Sequence, residues 1–319
     1  SATGLGMLYV TTATTLAGSG QTVLNIDGSG YRGAIAGSGS LTIASGQTVR
    51  GAGDIGNTSY GGIGVVNQGR VIAEGGTLKL YQSGSSSFNN SGGLVQIAHG
   101  ATLDANSSFT GGTIQGLGNS KIAGSSYKDV TLSGILQIAA GSSATMSGAL
   151  NNQGTLTLAT TAAGAGRLQL SGDTTLGGNG STVLNADPSG YRSVISGTGV
   201  LTIGSAQTVR GAGDIGNTSY GGIGVVNQGT VIAEDGTFSL YQTGAQSFNN
   251  TAGMIQVANA ALLSANGKVV GGTIQRVGGG TGLLGGGVFQ DIALQGAFAA
   301  QGNLRLSNAT VNGSLRVSN

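Results

Sequence analysis

Short apolar runs with an alternating pattern recur along the chain, and Gly, Asn or Ser separates them every few residues. Examples are LTI (Leu41 to Ile43), TLKL (Thr77 to Leu80), LVQI (Leu94 to Ile97) and TLTL (Thr155 to Leu158). Alternation of apolar and polar residues predicts β-strands with one buried face, and the separators predict tight turns. No segment combines helical periodicity with a cap, so the pattern predicts an all-β fold without connecting helices.

The chain also contains a much longer repeat, which includes many of these short runs. The stretch QTVRGAGDIGNTSYGGIGVVNQG, from Gln47 to Gly69, recurs letter for letter from Gln207 to Gly229. Residues 1–120 align without a gap onto residues 161–280 at an offset of 160, and the later segments align after short insertions and deletions. We therefore divide the chain into a first repeat (1–160) and a second repeat (161–319) of one β-solenoid, a tandem duplication of a unit of about 160 residues.

Strands that cannot be joined by helices need another return path if they are to pair in parallel. A solenoid supplies it, because each coil turns its short strands through corners and lies on the coil before it. The frame I-A-x-G-x-T-L recurs from Ile72 and Ile97, which is typical of such coils. We predict a right-handed parallel β-helix of roughly 16 coils, with the hand taken from the general preference of crossover connections.

Composition narrows the function classes. The chain has 65 Gly, one Pro and no Cys, only 8% of its residues are charged, and its formal net charge is +2. So weak and dispersed a charge argues against nucleic acid as a partner. No apolar run approaches the roughly 18 residues needed to cross a bilayer, so we expect no membrane insertion within this segment. The lack of cysteine has two explanations, chance or export through an oxidising compartment, and the composition as a whole favours export.

Two segments carry a resemblance to a known class of proteins. FNNSGGLVQIAHGATLDAN, from Phe88 to Asn106, and NNQGTLTLAT, from Asn151 to Thr160, resemble the β-helical passenger regions of secreted bacterial autotransporters and filamentous-haemagglutinin-like adhesins. The resemblance covers nearly the whole chain but rests on scaffold motifs of low specificity. It implies export as an unfolded chain, a place at the cell surface or in an extracellular matrix or biofilm, and roles in adhesion, aggregation or matrix building.

One glycine-rich motif in each repeat matches a nucleotide-binding fingerprint. GAGDIG, from Gly51 to Gly56, fits G-x-G-x-x-G, but a dinucleotide loop requires a helix after it. NTSYGGIG follows instead, so we interpret the motif as a glycine-rich corner or bulge, in a loop that protrudes from the stack. GAGD also lacks the tandem aspartates of calcium-binding β-rolls. We therefore expect no cofactor and no metal, although an isolated calcium site stays open.

Catalysis by carboxylates is the main alternative. The first repeat contains single, scattered acidic residues, namely Asp27, Asp54, Glu74, Asp104 and Asp129. Paired carboxylates of glycosidases stand roughly 5–10 Å apart, and neighbouring coils can bring two together. His99 and Asp104, however, become Asn259 and Ser264 in the second repeat. We expect no enzyme activity, and keep a polysaccharide-binding or polysaccharide-cleaving β-helix as the rival interpretation.

Tyrosines and arginines that recur in both repeats are the candidate contact residues, because exposed Tyr and Arg are favoured at binding surfaces and Tyr stacks on sugar rings. We also expect Asp54 and Asp214 to pair with a nearby arginine. The predicted contact loops contain Tyr31, Arg32, Arg50, Asp54, Tyr60 and Tyr81 in the first repeat, and Tyr191, Arg192, Arg210, Asp214, Tyr220 and Tyr241 in the second. The expected ligand is a surface glycan or another cell-surface partner. Asn-x-Ser/Thr triplets leave glycosylation unresolved.

Neither end of the sequence shows a cap. Residues 1–10 are already in register with residues 161–170, and SLRVSN at the end has the pattern of a strand. Two explanations remain open: the segment belongs to a longer tandem array, or protomers associate end to end into a filament. Both favour a rigid structural and adhesive stalk or fibre.

Overall fold

Each run of alternating residues forms a strand, and the partner of each strand lies one coil further along the chain. The computed structural model describes residues 6–81, 87–242 and 247–317. It is all-β, with parallel strands stacked as a β-solenoid, which confirms the predicted fold class. The short helical segments include two single 3₁₀ turns, Thr58–Tyr60 and Thr218–Tyr220. The handedness stays a prediction.

The number of coils differs from the prediction. The stack has about 11 turns, whereas the sequence frame suggested roughly 16 at about 20 residues per coil. Corner loops lengthen many coils: Met7 pairs with Ala34, 27 residues on, and Asp54 pairs with Lys79, 25 residues on. Apolar triplets mark strands well, but polar corners carry no pattern that fixes their length.

Contacts within the chain divide it into two compact units. The first unit comprises residues 1–137 with 143–146, and the second comprises residues 138–142 with 147–319. This division falls earlier in the chain than the boundary of the sequence repeat at residue 160.

In the first unit the strands stack into three columns. Column A contains β1 (Met7–Val10), β4 (Ala34–Gly37), β7 (Asp54–Ile55), β10 (Thr77–Leu80) and β13 (Thr102–Ala105). Column B contains β2 (Ala13–Leu16), β5 (Ser40–Ile43), β8 (Gly64–Asn67), β11 (Phe88–Asn89) and β14 (Phe109–Thr110). Column C contains β3 (Gln21–Leu24), β6 (Thr48–Gly51), β9 (Arg70–Ala73) and β12 (Leu94–Ile97), and continues into β15 (Thr113–Lys128) and β16 (Thr131–Ile138).

The second unit repeats this arrangement with the same parallel pairing, and one short antiparallel hairpin stands beside it, between β19 and β20. Its strands, with β17 at the division, are β17 (Ser143–Asn152), β18 (Thr155–Leu158), β19 (Thr160–Thr161), β20 (Gly164–Ala165), β21 (Arg167–Gly177), β22 (Ser181–Leu184), β23 (Ser193–Thr198), β24 (Val200–Ile203), β25 (Thr208–Gly211), β26 (Gly213–Ile215), β27 (Gly224–Asn227), β28 (Thr230–Ala233), β29 (Thr237–Tyr241), β30 (Phe248–Asn249), β31 (Met254–Val257), β32 (Leu262–Asn266), β33 (Lys268–Val270), β34 (Thr273–Arg276), β35 (Gly282–Gly285), β36 (Val288–Gln290), β37 (Ala293–Gln301), β38 (Arg305–Ser307) and β39 (Thr310–Val317).

The core follows from in-register stacking of inward side chains. Val49, Val71 and Val95 are fully buried at equivalent positions of successive column C strands. Buried asparagines complete the corners: Asn67 donates from Nδ2 to Oδ1 of Asn90 at 2.6 Å. Because an unpaired buried amide is costly, such a ladder fixes the corner conformation as well as the register.

The GAGDIG motif forms a buried corner between β6 and β7 rather than a protruding loop, so only the segment after it is exposed. Gly51 has φ of 122°, and a Cβ on it would lie 2.0 Å from the carbonyl oxygen of Leu24 in the coil before it. A Cβ on Gly53 would lie 2.5 Å from Cβ of Leu24. Glycine is needed here because two coils approach closely, which confirms the corner interpretation of the motif.

Candidate functional site

The loop between β3 and β4 presents Tyr31 to solvent and is organised by one aspartate. Asp27 Oδ1 accepts hydrogen bonds from the backbone N–H groups of Ser29 at 2.9 Å and Tyr31 at 2.8 Å. Ile26 and Arg32 form an antiparallel bridge across the loop. Tyr31 is 54% exposed at the tip. Asp and Gly at these positions favour this turn through side-chain and backbone freedom, so the loop is ordered by its own sequence.

Arg32, the next residue, fastens this loop to the stack. Its Nε donates to Oδ1 of Asp54 at 2.7 Å, and its Nη2 donates to the carbonyl of Gly53 at 2.9 Å and to the carbonyl of Thr77. The guanidinium thereby joins the loop before β4 to the start of β7 and the start of β10. We call Arg32, Gly53, Asp54 and Thr77 the first clamp. It confirms the expected pairing of Asp54 with an arginine.

The second unit has an equivalent second clamp, formed by Arg192, Gly213, Asp214 and Thr237, but its geometry differs. Nη2 of Arg192 donates to the carbonyls of Gly213, at 2.8 Å, and Thr237. Nη2 also lies 2.9 Å from Asp214 Oδ1, which confirms the second expected Asp–Arg pairing. Nε of Arg192 is buried and makes no hydrogen bond within the part of the chain that the structure describes.

The neighbouring side chain explains this difference. Ser239 lies beside Asp214 in the register of β26 and β29, and its Oγ accepts from Arg192 Nη2 at 3.1 Å. The equivalent residue of the first unit is Lys79, paired with Asp54, and an ammonium group cannot accept a hydrogen bond. Burial raises the pKa of the Asp214 carboxyl, while Arg192, Asn217 and Ser239 oppose this rise.

A second tyrosine is positioned from the same aspartate. Asn217 donates from Nδ2 to Asp214 Oδ2 at 2.8 Å, and its Oδ1 accepts from the N–H of Ser219 at 3.1 Å. This caps the 3₁₀ turn Thr218–Tyr220, at whose end Tyr220 is 43% exposed. Asn57, Asp54 and Tyr60 repeat the arrangement in the first unit.

In the second unit these groups line one cleft of about 300 Å³. Its wall contains the exposed rings of Tyr191 and Tyr220, the clamp pair Arg192 and Asp214, and Arg167 at the start of β21. The Arg167 guanidinium carbon lies 4.8 Å from the centroid of the Tyr220 ring, a cation–π contact. The cleft therefore combines aromatic faces with a fixed ion pair and a second cation.

The structure places the other predicted contact residues elsewhere. Arg50 forms a bidentate pair with Glu74, at 2.5 and 2.9 Å, and the hydrogen bond to Glu74 raises the pKa of the arginine. Arg210 pairs with Glu234 at 2.6 Å. The half-buried Tyr81 lies under Lys79 Nζ at 5.7 Å, and Tyr241 is half-buried at the end of β29. These residues support their coils and do not line the cleft of the second unit.

Three residues of these sites, one arginine and two asparagines, could not be identified from the sequence. Arg167 aligns with Met7 in the first repeat, so a search for recurring residues passes over it. Asn57 and Asn217 recur within the identical stretch, but the spacing Asp-x-x-Asn gives no reason to prefer them over other asparagines. Only the fold shows that each amide joins the buried aspartate to the tyrosine turn.

No family model, curated protein or solved structure matches this chain. Within the described residues, no group of three or more His, Cys, Asp or Glu side chains is arranged to hold a metal ion. No helix in the described ranges is both long and apolar enough to cross a membrane.

Proposed function

We propose that this chain is an extracellular structural and adhesive β-solenoid of the bacterial surface or matrix, whose clamped loops bind a glycan or another surface partner. The observation that carries the proposal is the clamp. In each unit one arginine fixes a tyrosine-bearing loop to two further coils. The aspartate that pairs with this arginine also orders a turn that carries a second tyrosine. A loop held in this way loses little conformational entropy on binding.

The chemistry of the presented side chains favours binding. Tyrosine supplies a large, rigid, amphipathic contact surface, and four tyrosines, Tyr31, Tyr60, Tyr191 and Tyr220, are between 42 and 54% exposed. The location rests on the absence of cysteine, the low charge and the resemblance to secreted β-helical passengers. Association of protomers end to end belongs to the same proposal and is supported by the low charge, which gives strand edges little protection from pairing.

The test is a binding screen of the purified chain against immobilised polysaccharides, glycans and matrix proteins. We expect retention on at least one surface and a loss of at least tenfold in affinity when Tyr31, Tyr60, Tyr191 and Tyr220 are all replaced by Ala. Leu117→Ser with Ile135→Ser is the matched control, because both side chains are exposed apolar residues outside the clamps. Circular dichroism verifies that each variant keeps its strands.

Two results would overturn this proposal. Failure to bind any surface would remove the adhesive role. Loss of viscosity of a polysaccharide on incubation would support the rival, a polysaccharide-cleaving β-helix. Electron microscopy tests the assembly separately: continuous filaments support association of protomers, and discrete particles contradict it.

A further inference from the structure

The cleft of the second unit carries an excess positive charge, and Arg167 supplies it. Arg167 and Arg192 contribute two cations, and Asp214 contributes one buried acidic group that already faces Arg192. At the position of Arg167 the first repeat has Met7. The two repeats thus share the clamp and both tyrosines but differ in two side chains that affect the local charge. The second repeat has Arg167 in the place of Met7, and the first repeat has Lys79 in the place of Ser239, with its Nζ over the Tyr81 ring.

Arg167 has hydrogen-bonding capacity to offer a ligand. Its side chain contacts the Tyr220 ring and makes no hydrogen bond or ion pair to another side chain in the described ranges. A guanidinium has five donors in a planar fork that matches a carboxylate. The cation–π contact with Tyr220 restrains the guanidinium. Its N–H groups are therefore available to an acceptor on a ligand.

The rest of the cleft suits a hydroxylated ring. Tyr191 is 49% exposed and Tyr220 is 43% exposed. The C–H face of a pyranose can stack on an aromatic ring, and the tyrosine hydroxyl groups can donate and accept hydrogen bonds. The volume of about 300 Å³ is at the lower end of small-ligand pockets and suits one or two sugar rings.

We propose that the cleft of the second unit binds an acidic saccharide, a pyranose ring that carries a carboxylate. This inference rests on the proposed function. The ring stacks on Tyr191 or Tyr220, and the carboxylate accepts hydrogen bonds from Arg167. Arg192 is fixed by Gly213, Asp214 and Thr237 and forms the floor. The first repeat, with Met7, lacks the Arg167 guanidinium to which this carboxylate would bind.

The experiment measures binding of trigalacturonate to the whole chain by calorimetry, with its methyl ester as the uncharged ligand. We expect the methyl ester to bind at least tenfold more weakly, and Arg167→Met to weaken binding of the acid by a similar factor. The fold tolerates methionine here, since Met7 occupies the equivalent place at the start of β1. Arg210→Met removes the same charge outside the cleft and should change affinity less than twofold.

Three outcomes would overturn the inference: equal affinity for acid and ester, equal affinity of wild type and Arg167→Met, or a preference for a sulfated over a carboxylated trisaccharide. Tyrosine-dependent binding of neutral saccharides without any effect of Arg167 would overturn this inference alone. Absence of binding to any surface or saccharide would overturn the proposed function as well.

Discussion

The two clamps use the same backbone acceptors but different side-chain contacts. Arg32 and Arg192 both bond to the carbonyl before the aspartate and to the carbonyl that opens the next coil. Arg32 also donates from Nε to its aspartate at 2.7 Å, whereas Arg192 turns its Nη2 toward Asp214 and Ser239. The contacts to backbone carbonyls are therefore the part of the clamp that both units share, while the side-chain geometry depends on the residue that the next coil places beside the aspartate.

We expect the largest difference between the units in the free energy of unfolding that is lost when one side chain of the column B core, or its equivalent in the second unit, is replaced by Ala. Phe109 stacks on Phe88 with ring centroids 5.3 Å apart, and Tyr127 lies on its other side at 5.5 Å. The second unit has Val269 in the place of Phe109. Phe109→Ala should cost about 3–5 kcal/mol, because it leaves a large cavity between two rings. Val269→Ala should cost about 2 kcal/mol. Chemical denaturation of the two variants measures both; equal losses would contradict a special role of the stack.

A smaller effect is expected from the clamps themselves. Asp54→Ala leaves the guanidinium of Arg32 without its carboxylate and should lower the free energy of local unfolding by about 2 kcal/mol, less than for a fully buried pair because Arg32 is partly exposed. Asp214→Ala should cost roughly half as much, since Arg192 keeps Ser239 as a partner. Hydrogen exchange of the amides of β7 and β26 reports each unit separately. A larger loss of stability for Asp214→Ala than for Asp54→Ala would contradict this prediction.

The smallest effect concerns the pH dependence of the second clamp. Burial raises the pKa of Asp214 above its ordinary value of 3.8. At pH values between the unfolded and the folded pKa, the folded state therefore holds a proton that the unfolded state releases. This contribution to stability is present below the unfolded pKa and is lost as pH rises through the raised folded pKa. Asp214→Asn should flatten that decline in the protection of β26, after correction for intrinsic exchange. An unchanged profile would show that Asp214 is not its source.

The fold could be predicted because burial repeats with the strands. Val49 and Val71 stack in register, and the same alternation is visible in their sequence. The number of coils could not be predicted, since the loop before Arg32 and the turn around Tyr60 lengthen their coils with polar residues that carry no periodicity. The pairing of Asp54 and Asp214 with arginine was predictable from their recurrence.

The cleft was harder to predict from the sequence. Its charge depends on Arg167, which stands where the other repeat has an apolar residue. A search for residues that the two repeats share cannot find such a position. The role of Asn217 depends on its distance from Asp214 across a corner. Such contacts arise from three-dimensional packing, which the local alternation of residues does not encode.

The variable length of the corners has an evolutionary consequence. In the first unit, register is kept between Met7 and Ala34 across 27 residues and between Thr113 and Thr131 across only 18. Coils of different length therefore keep the same parallel register. Residues can be inserted at a corner, or one cleft residue exchanged, such as Arg in place of Met, within the same pattern of stacked strands.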